Sequence, residues 1–164
     1  MNKSLLFLTL FFSLSGNTVA EGIKLMSWNV YFDDASGQQP SPAIIQTIAE
    51  QKPELVCLQE VTHKFIEQLT SSEALSGYTF VNTHGPGRYK NLILSKTAIT
   101  SSGTITLPTN MERTAPYIRT SINGQNAIIV NLHLDSMMND TQLSLRQLQK
   151  LHEFTCKEQT KILR

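Results

Sequence analysis

The chain has 164 residues, 40% of them hydrophobic and 16% charged, with 14 Lys and Arg against 13 Asp and Glu. That length suits one domain. The even charge argues against a protein that grips nucleic acid by its overall field, because such proteins are normally visibly basic, so any anion must be met by a local site.

The first stretch, "MNKSLLFLTLFFSLSGNTVA", carries Lys3, an apolar run from Leu5 to Leu14 and small residues at Thr18-Val19-Ala20. The run is too short to span a bilayer as a helix. The pattern predicts a cleaved secretory signal over residues 1–20 and a domain over 21–164. It also predicts a secreted or periplasmic product with no stable membrane anchor. Without the signal, basic and acidic residues balance at 13 each. Export permits a disulfide, but nothing in the spacing of Cys57 and Cys156 brings them together, and two free, buried thiols are expected.

"GIKLMSWNVYF" (22–32) reads as a first strand, rich in β-branched and aromatic residues. After the loop "DDASGQQP", Ser41-Pro42 gives an N-cap followed by Pro at N1. Ile44, Ile45, Ile48 and Ala49 then recur at helical spacing until Pro53. "PELVCLQEV" (53–61) is a second strand. Thr62 is placed to cap a short helix with Phe65, Ile66 and Leu69 inward. "YTFVN" (78–82), "NLILS" (91–95) and "GTITL" (103–107) read as strands. The Gly/Pro loop "THGPGRYK" carries His84, Arg88 and Lys90, and a polar loop runs through Arg113. "YIRTSI" and "QNAIIVNLHL" flank Asn123-Gly124, the preferred pair for a two-residue type I′ hairpin. A last helix places Leu145, Leu148, Leu151 and Phe154 on one side. Strands alternating with helices, plus a hairpin, predict a mixed α/β sandwich.

Three strands are broken by a polar group near their C-terminal ends: Asn29 in "LMSWNV", Glu60 in "VCLQEV" and His133 in "IIVNLHLDS". Each alone has an ordinary explanation. Asn29 could cap a backbone turn, Glu60 could lie at a wet strand end or pair with a lysine, and His133 could be a satisfied core histidine. Three together, at the strand ends where α/β sheets collect ligands, point to a shared polar site. A two-residue turn pairs Ile122 with Gln125 and Ile118 with Ile129. Alternation then puts Ile129, Asn131, His133 and Asp135 on one face. Arg119, opposite Ile128, falls on the other face and outside the site. Magnesium is often held by one or two carboxylates plus substrate phosphate, which suits Glu60. Asn29 could orient a water or a phosphate oxygen, and His133 could donate to a phosphoryl oxygen as charge grows there. The combination suggests phosphoester hydrolysis.

"KLMSWNV", "PELVCLQEV", "NLILSK", "VNLHLDS" and "RQLQ" (146–149) resemble, in order and spacing, the endonuclease/exonuclease/phosphatase superfamily across residues 23–155. That superfamily includes deoxyribonucleases, apurinic-site endonucleases, sphingomyelinases and inositol-polyphosphate phosphatases. The resemblance implies a four-layer α/β sandwich with a mixed sheet and flanking helices, and a site at one end of both sheets. It implies Asn29 and Glu60 at a magnesium or manganese site, Asn29 and His133 as catalytic residues at the scissile phosphate, and a structural role for Arg146. The implied substrate is a phosphoester: nucleic acid, phospholipid headgroup or inositol phosphate.

The family's later Gly-Asp-x-Asn and Ser-Asp-His motifs have no counterpart here. The expectation is therefore a C-terminally incomplete, partial sandwich, with little or no catalysis on its own and with apolar surface left uncovered. Two functions stay open: an exported metal-dependent phosphoester hydrolase, or an inactive truncated remnant or non-catalytic binding module.

Overall fold

The computed structural model describes residues 22–31, 42–82, 89–136 and 141–162, with side chains to 158 in the last segment. The expected signal (1–20), the Ser41 cap, and His84 and Arg88 lie outside the described residues. Among the described residues no helix is long and apolar enough to cross a membrane.

The elements are β1 (Leu25–Asn29), α1 (Pro42–Gln51), β2 (Leu55–Val61), α2 (His63–Ser71), a 3₁₀ turn (Glu73–Leu75), β3 (Thr79–Asn82), β4 (Lys90–Ser95), β5 (Ile99–Thr106), β6 (Thr114–Ile122), β7 (Gln125–Val130) and α3 (Thr141–Ile162). A four-stranded sheet runs in the order β1-β2-β4-β3, and a three-stranded sheet in the order β5-β6-β7. The first is mixed, because β1 and β2 are parallel while β4 is antiparallel to both β2 and β3. The second is antiparallel throughout.

Four layers result. One face of the first sheet presents Val56, Leu58, Leu92 and Leu94 to Ile44 and Ile48 of α1 and to Phe65, Ile66 and Leu69 of α2. Its other face presents Leu55, Cys57 and Ile93 to Ile99, Ile118, Ile122 and Ile129 of the second sheet. The far face of the second sheet, with Ile105, Ala115 and Tyr117, meets Leu151 and Phe154 of α3. Covered on both faces, β2 loses the polar alternation of a surface strand, as buried strands do, and Glu60 is its one position that is not buried. Thr62 caps α2 by accepting from the Phe65 N–H, satisfying one of the helix's orphan donors. The hairpin turns at Asn123 (φ 52°) and Gly124 (φ 77°), as a type I′ turn requires. Its register pairs Ile122 with Gln125, Ile118 with Ile129 and Arg119 with Ile128.

Two expectations need correction. Leu145 and Leu148 are 49% and 41% exposed, although the sequence placed them beside Leu151 and Phe154. A helix advances about 100° per residue, so a strict spacing of three drifts round the axis, and Leu145 ends up opposite Phe154. The inward face is Gln147, Leu151, Phe154 and Glu158. Of these, Gln147 and Glu158 are buried polar residues, and the Glu158 carboxylate receives the Arg119 Nε–H at 2.9 Å. The second correction concerns the thiols. Cys57 is a free, buried thiol, whereas Cys156 is exposed.

Candidate functional site

The site begins with an irregularity in β2. Leu58 pairs with Leu92 and Val61 with Lys90, so Gln59 and Glu60 together face the single residue Asn91. An extra residue on one strand makes a β-bulge, which bends the strand and re-aims a side chain. Glu60 takes the strain in the left-handed region at φ 58°, a conformation uncommon outside glycine. Its carboxylate thereby turns from the ladder toward the end of the second sheet.

His133 arrives from that sheet. The β7 ladder ends at Val130, and one further bond from the Asn131 N–H to the Pro116 carbonyl (3.0 Å) extends it. Alternation nevertheless persists: Asn131, His133 and Asp135 are buried, while Leu132 and Leu134 are half-buried. His133 Nδ1 lies 3.0 Å from Arg113 Nη1. A guanidinium has no acceptor, so Nδ1 must accept and the ring proton sits on Nε2. Nε2 stands 3.6 Å from Glu60 Oε1. Burial pushes the His133 pKa down to about 4, the Arg113 charge pushes the same way, and Asp135 opposes. The imidazole is therefore a neutral Nε2–H donor at neutral pH.

Arg113 is itself buried, and its Nη2 lies 3.7 Å from Glu60 Oε1. Burial pulls its pKa down, against the opposing influence of Glu60, Asp135 and Tyr89. Its backbone is anchored through Thr109, whose Oγ1 accepts the Arg113 N–H at 2.9 Å. Thr109 Oγ1 in turn donates to Asp135 at 2.8 Å. Asp135 also accepts from the N–H groups of Asn110 and Met111 and from Gln147 Nε2. Burial alone would raise the Asp135 pKa, but these bonds outweigh it and hold the carboxyl below its ordinary value.

The structure thus brings Glu60 and His133 together, and the cation beside Glu60 is an arginine rather than a lysine. Asn29 lies at the end of β1 opposite Gln59, one position from Glu60 on the neighbouring strand. Its Oδ1 accepts from the Tyr31 N–H at 2.9 Å, so it does cap a local turn. No hydrogen bond links it to Glu60 or His133 among the described residues. Arg119 lies outside the site, held by Glu158 and Ser101, and Arg146 is exposed. Sequence reasoning missed Arg113, which ends an aperiodic loop. It placed Asn131 and Asp135 on the same face as His133 without giving them a role. Three polar side chains alternating inward past a strand end were the available signal.

Among the described residues no group of three or more His, Cys, Asp or Glu side chains is arranged to cage a metal. The donors at this end are oxygens. Arg113 Nη2 and His133 Nε2 stand 3.7 and 3.6 Å from Glu60 Oε1, beyond hydrogen-bond range, so among the described residues its carboxylate keeps acceptor capacity. The Asn29 carbonyl oxygen has a second lone pair. This sparse, hard set fits a cation such as magnesium, which keeps several waters and takes one or two carboxylates. It does not fit a zinc cage.

The sequence pattern of the Endonuclease/Exonuclease/phosphatase family matches residues 26–155. The fold is similar to a humanized D. rerio TDP2 carrying 14 mutations, at TM-score 0.68 and 25% identity, covering 79% of this chain and 57% of that one. A D. rerio TDP2 complexed with a single-strand DNA product is similar at TM-score 0.67 and 25% identity, covering 79% and 52%. TDP2 from C. elegans is similar in fold at TM-score 0.63 and 23% identity, covering 86% and 43%. The chain therefore spans about half the length of these structures. No curated protein sequence matches it significantly.

Proposed function

This chain belongs to the endonuclease/exonuclease/phosphatase family, and from that premise we propose that its site acts on a phosphoester with the help of a divalent cation, in an exported protein. The observation that carries the proposal is the pair formed by the strained, bulge-borne Glu60 carboxylate and the neutral His133 ring, 3.6 Å apart at one end of both sheets. Glu60, with Asn29, would hold magnesium or manganese. Such an ion, when bound, neutralises charge on a phosphoryl group and lowers the pKa of a coordinated water. His133 donates its Nε2 proton to a phosphoryl oxygen, a bond that strengthens as charge develops there. Arg113 keeps the ring in that tautomer and places a fixed positive charge behind it.

The balanced net charge disfavours long nucleic acid, whereas one relative of the same fold was captured with a single-strand DNA product. Short single strands or nucleotide phosphoesters are accordingly the substrates proposed. A second reading, binding without turnover, draws support from Asp135. The other carboxylate at this end is saturated with hydrogen bonds and is not free to move a proton.

The test uses the purified chain with a short single-stranded oligonucleotide and with bis(p-nitrophenyl) phosphate, with magnesium and with chelator. Any turnover by this chain is expected to be weak, to need magnesium, and to be lost with chelator and in Glu60→Gln. Manganese binding, followed by water-proton relaxation, should titrate one site in the parent and be lost in the same variant. Binding without turnover would establish the second reading. Full turnover or unchanged manganese binding in Glu60→Gln would refute the ligand assignment.

A further inference from the structure

Asn131 takes no part in the chemistry proposed above, yet its side chain is bonded on both sides of the bulge that carries Glu60. Its Nδ2 donates to the carbonyl of Leu58 at 2.8 Å and to that of Leu92 at 3.0 Å. These two residues are the last regular pair before the β2 bulge. Its Oδ1 accepts from Gln59 Nε2 at 2.7 Å, and Gln59 is the other residue of the bulge. Asn131 is 2% exposed, so none of these bonds is shared with bulk water. A side chain from the second sheet is therefore plugged into the gap in the first, bonding backbone carbonyls at the edge of the interrupted ladder.

We infer that Asn131 is a positioning residue: it locks the bulge that aims Glu60 and, two residues along its own strand, fixes the segment that carries His133. Buried carbonyls left without donors are costly. Without the plug, the bulge has reason to relax toward regular pairing, and Glu60 then leaves its left-handed conformation. Alternation ties the two effects together, since residues two apart on an extended chain share a face. Gln59 is secondary. It reaches Asn131 at Oδ1 alone, with its Nε2 shared among Asn131, the Cys57 carbonyl at 3.2 Å and Ser27 Oγ at 3.3 Å, and its own Oε1 has no partner among the described residues.

The inference rests on Glu60 and His133 forming the working pair, and the test separates the two claims. In the parent chain, NMR should find the Asn131 side-chain amide protons protected from solvent exchange to the level of neighbouring backbone amides in β2. It should also find His133 as a single Nε2–H tautomer. Bound manganese should broaden the His133 ring signals. In Asn131→Leu, verified as folded by its cooperative unfolding, the single tautomer should be lost, and the manganese broadening of His133 with it. Gln59→Leu should keep both.

Rapid exchange of the Asn131 amide in the parent would overturn the inference, whether or not the variant folds. So would a folded Asn131→Leu whose His133 tautomer and broadening are unchanged. If manganese in the parent broadens nothing near Glu60, the metal reading fails, while exchange and tautomer still decide the role of Asn131.

Discussion

Asp135→Asn removes a charge while keeping the shape of the side chain, and the structure sets what it should cost. Oδ1 accepts from Thr109 Oγ1 at 2.8 Å and Gln147 Nε2 at 2.9 Å. Oδ2 accepts from the N–H groups of Asn110 at 2.7 Å and Met111 at 3.2 Å. An amide in either orientation turns an NH₂ toward donors on one side. Gln147 cannot simply flip to compensate, because its Oε1 receives the Asp135 N–H and its Nε2 donates to the Pro108 carbonyl. Two charge-assisted bonds are lost, at about 1.5–3 kcal/mol each, so the expected destabilisation is about 3–6 kcal/mol. In urea unfolding that moves the midpoint down by roughly 2 M. Because the folded carboxyl titrates below its ordinary value of 3.8, its contribution is complete above that pH and is lost as pH falls through the folded value. Parent and variant stabilities should therefore converge in strong acid. A loss under about 1 kcal/mol at neutral pH would show that the loop 109–111 does not depend on this carboxylate.

Three further outcomes are expected. His133 titrates at about 4 in the fold against an ordinary 6.5, so between these values the unfolded chain holds more protons and stability falls as pH drops, by about 3 kcal/mol in all. His133→Gln should flatten that limb of the stability curve, and an unchanged slope would contradict the neutral buried ring. With a thiol-specific chromogenic reagent, native protein should react once, at exposed Cys156. Cys57, whose pKa burial pushes up to about 12, should react only on unfolding, and two immediate equivalents would refute this. Gly103→Val should cost about 1–3 kcal/mol by thermal or chemical unfolding. A Cβ there would lie 2.6 Å from the Tyr117 hydroxyl, and the Tyr117 ring is already packed on Phe154 with centroids 4.7 Å apart. A neutral result would mean that Tyr117 swings aside freely.

The parts of the fold legible in the sequence were those governed by local rules. Asn123-Gly124 specified the hairpin and its register because few residues accept two successive positive φ values. From that register followed the common face of Asn131, His133 and Asp135 and the separation of Arg119. Glu60 stood out because a carboxylate inside an apolar strand demands a reason. The reason itself was not visible: a bulge leaves no mark on period-2 patterning when both bulged residues, here Gln59 and Glu60, are polar. Arg113 was illegible for a different cause. Its loop has no period, and its position depends on a carboxylate 22 residues later, Asp135. In α3, counting apolar residues found Leu151 and Phe154 but added the exposed Leu145 and Leu148, because buried Gln147 and Glu158 carry the rest of the inward stripe in polar form.

The segment from Asn131 to Asp135 has a consequence for how this protein can change over generations. Its three inward side chains reach three different parts of the molecule, and all three owe their direction to counting by twos from a tight turn. Inserting or deleting one residue between Gly124 and Asn131 would invert the parity of the whole run, delivering leucines to the polar end and an amide, an imidazole and a carboxylate to the greasy layer against the last helix. Length variation should thus be tolerated in pairs or not at all along this strand.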